Sequence, residues 1–240
     1  MEFKGEMNPH SEESTALSTS DSKKSPGAVI LAAGRGRRMG RGKALLPWGD
    51  RSLLEAWVAR LHSVGASEVI VVTGPDVTAV RSQVAANLKV RWVINKEPEL
   101  TGPRESLLLG LDALPSDHPA WFTPIDTPVV GSEIMEQVIA AYGAYEQEHS
   151  RAPLAALPAY CERVGHPVLA SPAFIQHLFE GERGDRIDAV LAWANHRIAT
   201  ISTDDVRVAG NMNRPEEYQA FAPPPGAPWD WTEASEDEPR

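Results

Sequence analysis

The 240-residue chain predicts a doubly wound α/β fold with a mostly parallel sheet flanked by helices. Three observations carry that prediction. Short continuous apolar runs recur at residues 28–33 (AVILAA), 68–73 (EVIVVT), 90–94 (VRWVI) and 120–125 (AWFTPI), and helical patterns separate them. These runs do not alternate apolar with polar, so both faces of each strand must be covered, as crossover helices cover a parallel sheet. The first run then opens directly into a glycine-rich, cation-rich loop. In such sheets ligands bind beyond the carboxyl ends of the strands.

Each element has its own local reason. Residues 52–64 place Leu53, Leu54, Trp57, Val58 and Leu61 at helical spacing, with Gly65 as the stop. Residues 77–88, 104–114 and 131–145 continue as helices between the strands. The strand at 120–125 carries an awkward proline, Pro124, near its end. After Tyr145 the pattern is less regular. Residues 153–160, 166–170 and 197–202 read as strands, and 172–180 and 185–193 as helices. Residues 215–221 close the pattern as a helix with Pro215 in its first turn. No internal repeat is visible.

The polar ends, residues 1–26 and 222–240, lack an apolar pattern and are expected to be disordered, because they cannot offset their ordering entropy. That leaves one domain over residues 27–221. The chain carries a net charge of −10, of which −4 falls on that domain. This argues against nucleic-acid binding, which needs a broad basic surface. No segment is apolar enough to span a bilayer, and there is no signal-peptide pattern. Cys161 is the single cysteine, so no intrachain disulfide can form, and it reads as a plain buried thiol. These features suit the cytoplasm. In the acidic tail, Trp229 and Trp231 are candidates for docking a protein partner.

The loop at residues 34–43 holds glycines at 34, 36, 40 and 42 and the cations Arg35, Arg37, Arg38, Arg41 and Lys43. A Walker loop fails at Arg37, where the first glycine belongs, and at Ala44, where Ser or Thr belongs. A dinucleotide fingerprint matches Gly34 and Gly36 but meets Met39 at the third position. The remaining reading is a loop whose backbone N–H groups approach an anion closely while cationic side chains neutralise a triphosphate.

The run L-A-A-G-x-G-x-R-M-G-x-x-K-x-L-L-P, from residue 31 to residue 47, resembles the signature of the MobA-like NTP transferases. These include guanylyl- and cytidylyltransferases that attach a nucleotide to molybdopterin. The resemblance continues through Asn95-Lys96-Glu97-Pro98, Gly102 and Ser106-Leu107, then Asp126-Thr127-Pro128 and Gly165-His166-Pro167-Val168. It takes in Gly184 and Arg186, with departures at Glu182 and Asp185, and ends at Asn211-Met212-Asn213-Arg214-Pro215-Glu216-Glu217-Tyr218. It implies a Rossmann-like nucleotidyltransferase fold and a divalent metal, Mg²⁺.

The resemblance also assigns roles. Arg38 and Lys43 grip the triphosphate. Leu31, Ala32, Ala33, Gly34, Gly36, Asn95 and Ser106 bind the nucleotide. His166 touches the acceptor. Asp126 and Asn213 hold the metal, with Asn211 a weaker candidate, since an asparagine carbonyl ligates Mg²⁺ without bringing charge. Each role has a plain counterpart: a turn aspartate before proline for Asp126, a helix-capping serine for Ser106, a buried structural histidine for His166.

The function so implied is transfer of a nucleoside monophosphate from CTP or GTP to a small phosphorylated acceptor such as molybdopterin, with release of pyrophosphate. Gly165-His166-Pro167 leans toward CTP and Asn211-x-Asn213 toward GTP. The uncharged asparagines open a second reading, that of a nucleotide-binding accessory protein that has lost turnover and acts through a partner.

Overall fold

A computed structural model of the chain describes residues 24–34, 42–181 and 187–231. Strand β1 (Gly27–Ala32) is the axis of the fold. It lies between β4 (Val69–Thr73) and β6 (Ala120–Pro124) and runs parallel to both. On the far side of β4 stands β5 (Arg91–Ile94), also parallel. On the far side of β6 come β9 (Val168–Ala170), then β7 (Ala155–Tyr160), then β10 (Ile198–Ser202) at the other edge. With the short β8 (Arg163–Val164) paired to β7, the sheet has eight strands among the described residues.

Successive residues of the central strands serve opposite faces. Ala28, Ile30, Val69, Val71 and Trp121 pack with α1 (Leu53–Ser63) and α4 (Ser132–His149). Val29, Leu31, Ile70, Val72 and Phe122 pack with α3 (Pro103–Leu111) and α5 (Pro172–Glu180). This two-sided cover is why the strands read as continuous apolar runs. Helix α3 comes so close to the sheet that a Cβ on Gly110 would sit 2.4 Å from Val29 Cγ1 and 2.9 Å from Val72 Cγ2.

Three expectations need correction. The helix expected over 77–88 stops early, as α2 (Val77–Arg81). Beyond it, the Ala85 N–H donates to the Glu55 carboxylate at 2.8 Å instead of to a helical carbonyl. The sheet is mostly parallel, as expected, with β9 alone of the longer strands running antiparallel to its neighbours β6 and β7. The two-residue turn at Cys161 and Glu162, with φ of 46° and 65°, reverses the chain after β7, as tight hairpin turns with positive φ do. Cys161 is therefore exposed at a hairpin tip, not buried.

The third correction concerns the carboxyl end. Helix α6 (Ile187–Trp193) and the last helix, α7 (Pro215–Phe221), form where expected. Yet residues 222–231, expected to belong to a disordered tail, continue along the body as a strap. Pro223 is buried. The Trp229 N–H donates to Asp50 Oδ1 at 2.9 Å, and its ring lies under both Arg51 (5.1 Å) and Arg60 (4.9 Å). Trp229 is thus engaged within its own chain. Among the described residues, no helix is long and apolar enough to cross a membrane.

Candidate active site

All the parallel strands end on one rim, and the site is built there. Ala33 and Gly34 follow β1. Arg38 and Gly36, assigned above to phosphate and nucleotide binding, lie outside the described residues, as do Gly184 and Arg186. The chain re-enters at Gly42 and makes a 3-10 turn, Lys43–Leu45. It then folds back through the hairpin β2 (Pro47–Trp48) and β3 (Arg51–Ser52) into α1. The Leu53 N–H donates to the Leu46 carbonyl at 2.8 Å, which ties the Lys43 turn to the start of α1.

Asp126 is held by its backbone. The Ile125 N–H donates to the Leu31 carbonyl at 3.0 Å, extending the pairing of β6 with β1 to the rim. The Thr127 hydroxyl donates to the Pro124 carbonyl at 2.8 Å and meets the Thr123 hydroxyl at 2.8 Å. The Trp57 indole N–H, fully buried, donates to the Thr127 carbonyl at 3.1 Å. From the other side, the Met212 N–H donates to the Asp126 carbonyl at 2.7 Å and brings in the closing segment. Glu217 fixes that segment in turn, accepting from the Asn213 N–H at 2.7 Å and the Arg214 N–H at 3.0 Å.

These restraints bring three residues far apart in sequence to one point. Lys43 Nζ donates to Asp126 Oδ2 at 3.0 Å and to Asn213 Oδ1 at 2.6 Å. The Lys43 side chain is only 13% exposed and that of Asp126 26%. The asparagine must turn its carbonyl oxygen to the ammonium, because its NH₂ would set donor against donor. A carboxylate oxygen and an amide oxygen therefore converge on one position already suited to a cation. Such oxygens are the donor type a hard divalent ion takes. Asn211 is exposed, while Met212, between it and Asn213, is buried.

A cavity of about 650 Å³ opens beside the cluster, lined by Ala32, Ala33, Gly34, Gly42 and Lys43 on one side. Thr73, Asp76, Gln83 and Pro98 line its other side. Its volume is in the range of small-molecule sites. Of the residues assigned to the nucleotide, Ala32, Ala33, Gly34 and Lys43 line this cavity. Leu31 does not line it; its side chain belongs to the core.

Asn95 and Ser106 come together but serve each other. Asn95 Nδ2 donates to Ser106 Oγ at 2.9 Å and to Thr101 Oγ1 at 2.8 Å, and both residues are buried. The pair ties the start of α3 to the end of β5 and does not line the 650 Å³ cavity, although Asn95 borders a smaller one of about 310 Å³ with Thr101 and Phe179. The His166 ring packs edge-on to Phe122, with centroids 6.3 Å apart, and its Nδ1 is buried without a partner among the described residues. Burial pushes its pKa down to about 4, although the Asp126 charge pulls the other way.

The sequence places Trp57 on a helix face and Thr127 and Glu217 within motifs, without the supporting roles they have here. Only Glu217 left a signal, an acid three residues into a helix that opens with proline. The other two act through backbone carbonyls, which no side-chain pattern reveals.

Residues 28–200 match the MobA-like NTP transferase domain. A molybdenum cofactor guanylyltransferase of Xanthomonas euvesicatoria is 31% identical over 112 residues, covering 47% of this chain and 52% of that protein. A probable molybdenum cofactor guanylyltransferase of Methanosarcina acetivorans is 29% identical over 221 residues, covering 82% of this chain and 90% of that one. Other curated relatives extend well beyond the shared segment; the match spans 16% and 48% of two of them. A nucleotidyl transferase from Methanothermobacter shares the fold at a TM-score of 0.65 and 24% identity, over 82% of this chain and 96% of its own. A Mycobacterium tuberculosis protein solved in complex with manganese does so at 0.66 and 20%, over 83% and 98%.

Proposed function

Because the chain belongs to the MobA-like NTP transferase family, we propose that it transfers a nucleoside monophosphate from CTP or GTP to a small phosphorylated acceptor, releasing pyrophosphate. The observation that carries this reading is the convergence of Lys43, Asp126 and Asn213 beside the cavity. Molybdopterin is the acceptor we propose, in line with the two relatives named as molybdenum cofactor guanylyltransferases.

The chemistry needs no protein nucleophile. A phosphate oxygen of the acceptor attacks the α-phosphorus in line. The bond from that phosphorus to the bridging oxygen of the β-phosphate breaks, and its electron pair leaves with pyrophosphate. The protein contributes positioning and charge. The backbone from Ala32 to Gly34 and at Gly42 lets phosphate approach closely. Lys43 supplies a mobile positive charge for the leaving group, and Arg38 is proposed to supply a second. Asp126 and Asn213 are the residues that would hold Mg²⁺, which when bound neutralises phosphate oxygens as a Lewis acid. His166 has a neutral ring well above pH 4, so on the acceptor side it offers a hydrogen bond and not a positive charge.

The test measures pyrophosphate release from each of CTP, GTP, ATP and UTP with molybdopterin and Mg²⁺. We expect turnover with CTP or GTP, and a fall of at least about 10²-fold in Asp126→Ala, the scale on which one charge-stabilising group acts. The variant's circular dichroism should be unchanged. Nucleotide binding without pyrophosphate release under all conditions would replace this reading with the accessory one.

A further inference from the structure

Lys43 stands where a metal would stand. Its ammonium takes one oxygen from Asp126 and one from Asn213, the same two oxygens proposed above as metal donors. An ammonium and a divalent cation cannot both occupy the one point on which these two oxygens converge. Lys43 lies on the short turn directly after Gly42, and among the described residues its ammonium makes no other hydrogen bond. Its side chain also lines the cavity. It can therefore turn from the two oxygens toward an anion in that cavity without breaking another tie.

We propose that Lys43 is a removable occupant of the cation site, so that nucleotide and metal bind cooperatively. In the ligand-free protein Lys43 competes with metal for Asp126 and Asn213. A triphosphate entering the cavity draws the ammonium onto its own oxygens and frees the pair. Coupling of this kind is reciprocal: whatever factor the nucleotide adds to metal affinity, the metal adds to nucleotide affinity. The device keeps the carboxylate neutralised in the free protein. It also limits metal loading until the phosphates that need the metal are present. The inference rests on the assignment of Asp126 and Asn213 as the metal pair.

The experiment uses the full chain without nucleotide and reads Mn²⁺ binding by electron paramagnetic resonance. Lys43→Met removes the competitor and keeps the apolar stem, whereas Lys43→Arg keeps a cation. Mn²⁺ should bind Lys43→Met about tenfold or more tightly than wild type, the scale of a charge-assisted contact. Lys43→Arg should stay near wild type. Equal affinity in wild type and Lys43→Met, or a gain in Lys43→Arg as large as in Lys43→Met, would overturn the coupling.

The double variant Lys43→Met/Asp126→Asn separates this from the metal assignment itself. It should lose the gained affinity. If it binds Mn²⁺ as tightly as Lys43→Met, the metal pair is wrong and the inference falls with it. If Asp126→Asn alone weakens Mn²⁺ binding while Lys43→Met does not tighten it, the metal pair stands and only the coupling fails.

Discussion

His166 shows how one side chain ties the fold to pH. Burial holds its pKa at about 4, below the ordinary value near 6.5. The unfolded chain therefore takes up the proton first. Stability is unaffected by this group at neutral pH, declines as pH falls through about 6.5, and reaches its full loss below about 4. The loss amounts to about 3 kcal/mol. Replacing His166 by Gln keeps a polar side chain and removes the titration. Urea unfolding at pH 7 and at pH 4.5 should show most of that loss in the wild type and a much smaller one from this site in His166→Gln. An unchanged difference between the two pH values would assign the acid sensitivity to other groups.

At the level of elements, the alternation of helices and strands was readable because each central strand buries both faces. An unbroken run such as AVILA in β1 leaves little room for another assignment. That the Gly34–Lys43 loop and Asp126 share one rim was readable too, since both follow strands that end there; the direct contact between Lys43 and Asp126 was not. What was not readable depends on partners distant in sequence. Helix α2 looks longer than it is until Glu55 captures the Ala85 amide. The hydrogen bond from Asn95 to Ser106, eleven residues apart, is likewise invisible until the chain folds. The missing Cβ of Gly110 is what lets α3 rest on Val29 and Val72. Gly110→Ala should accordingly destabilise by about 1–3 kcal/mol through overpacking, although alanine alone favours a helix by about 1 kcal/mol. Adding Val29→Ala should recover part of the loss, because neighbours that clash are not additive. Thermal unfolding of the two single variants and the double checks this; strict additivity would mean that α3 does not press on β1 at Gly110.

For the molecule as a whole, the decisive feature is that its carboxyl end returns to the start of the site. Asn213 meets Lys43, α7 follows at once, and the Tyr218 hydroxyl donates to the Pro47 carbonyl in the hairpin just after the Lys43 turn. The strap then lays Trp229 against Arg51 and Arg60 and brings the carbonyls of Ala227 and Pro228 so close to Gly49, itself at a φ of 62°, that they leave no room for a side chain there. Composition hid this, because a proline-rich, acidic segment reads as solvated until two arginines are found facing its tryptophan. Cation–π contacts contribute about 0.5–2 kcal/mol each, so the strap is worth a few kcal/mol once its buried proline is included. A chain cut after residue 231 keeps every described contact and should unfold at the wild-type temperature. A chain cut after residue 221 should unfold several degrees lower. It should also bind nucleoside triphosphate more weakly than monophosphate-sized ligands would lead one to expect, since the loosened hairpin no longer steadies Lys43. If both truncations match the full chain in unfolding temperature and triphosphate affinity, the strap rests on the domain without supporting it.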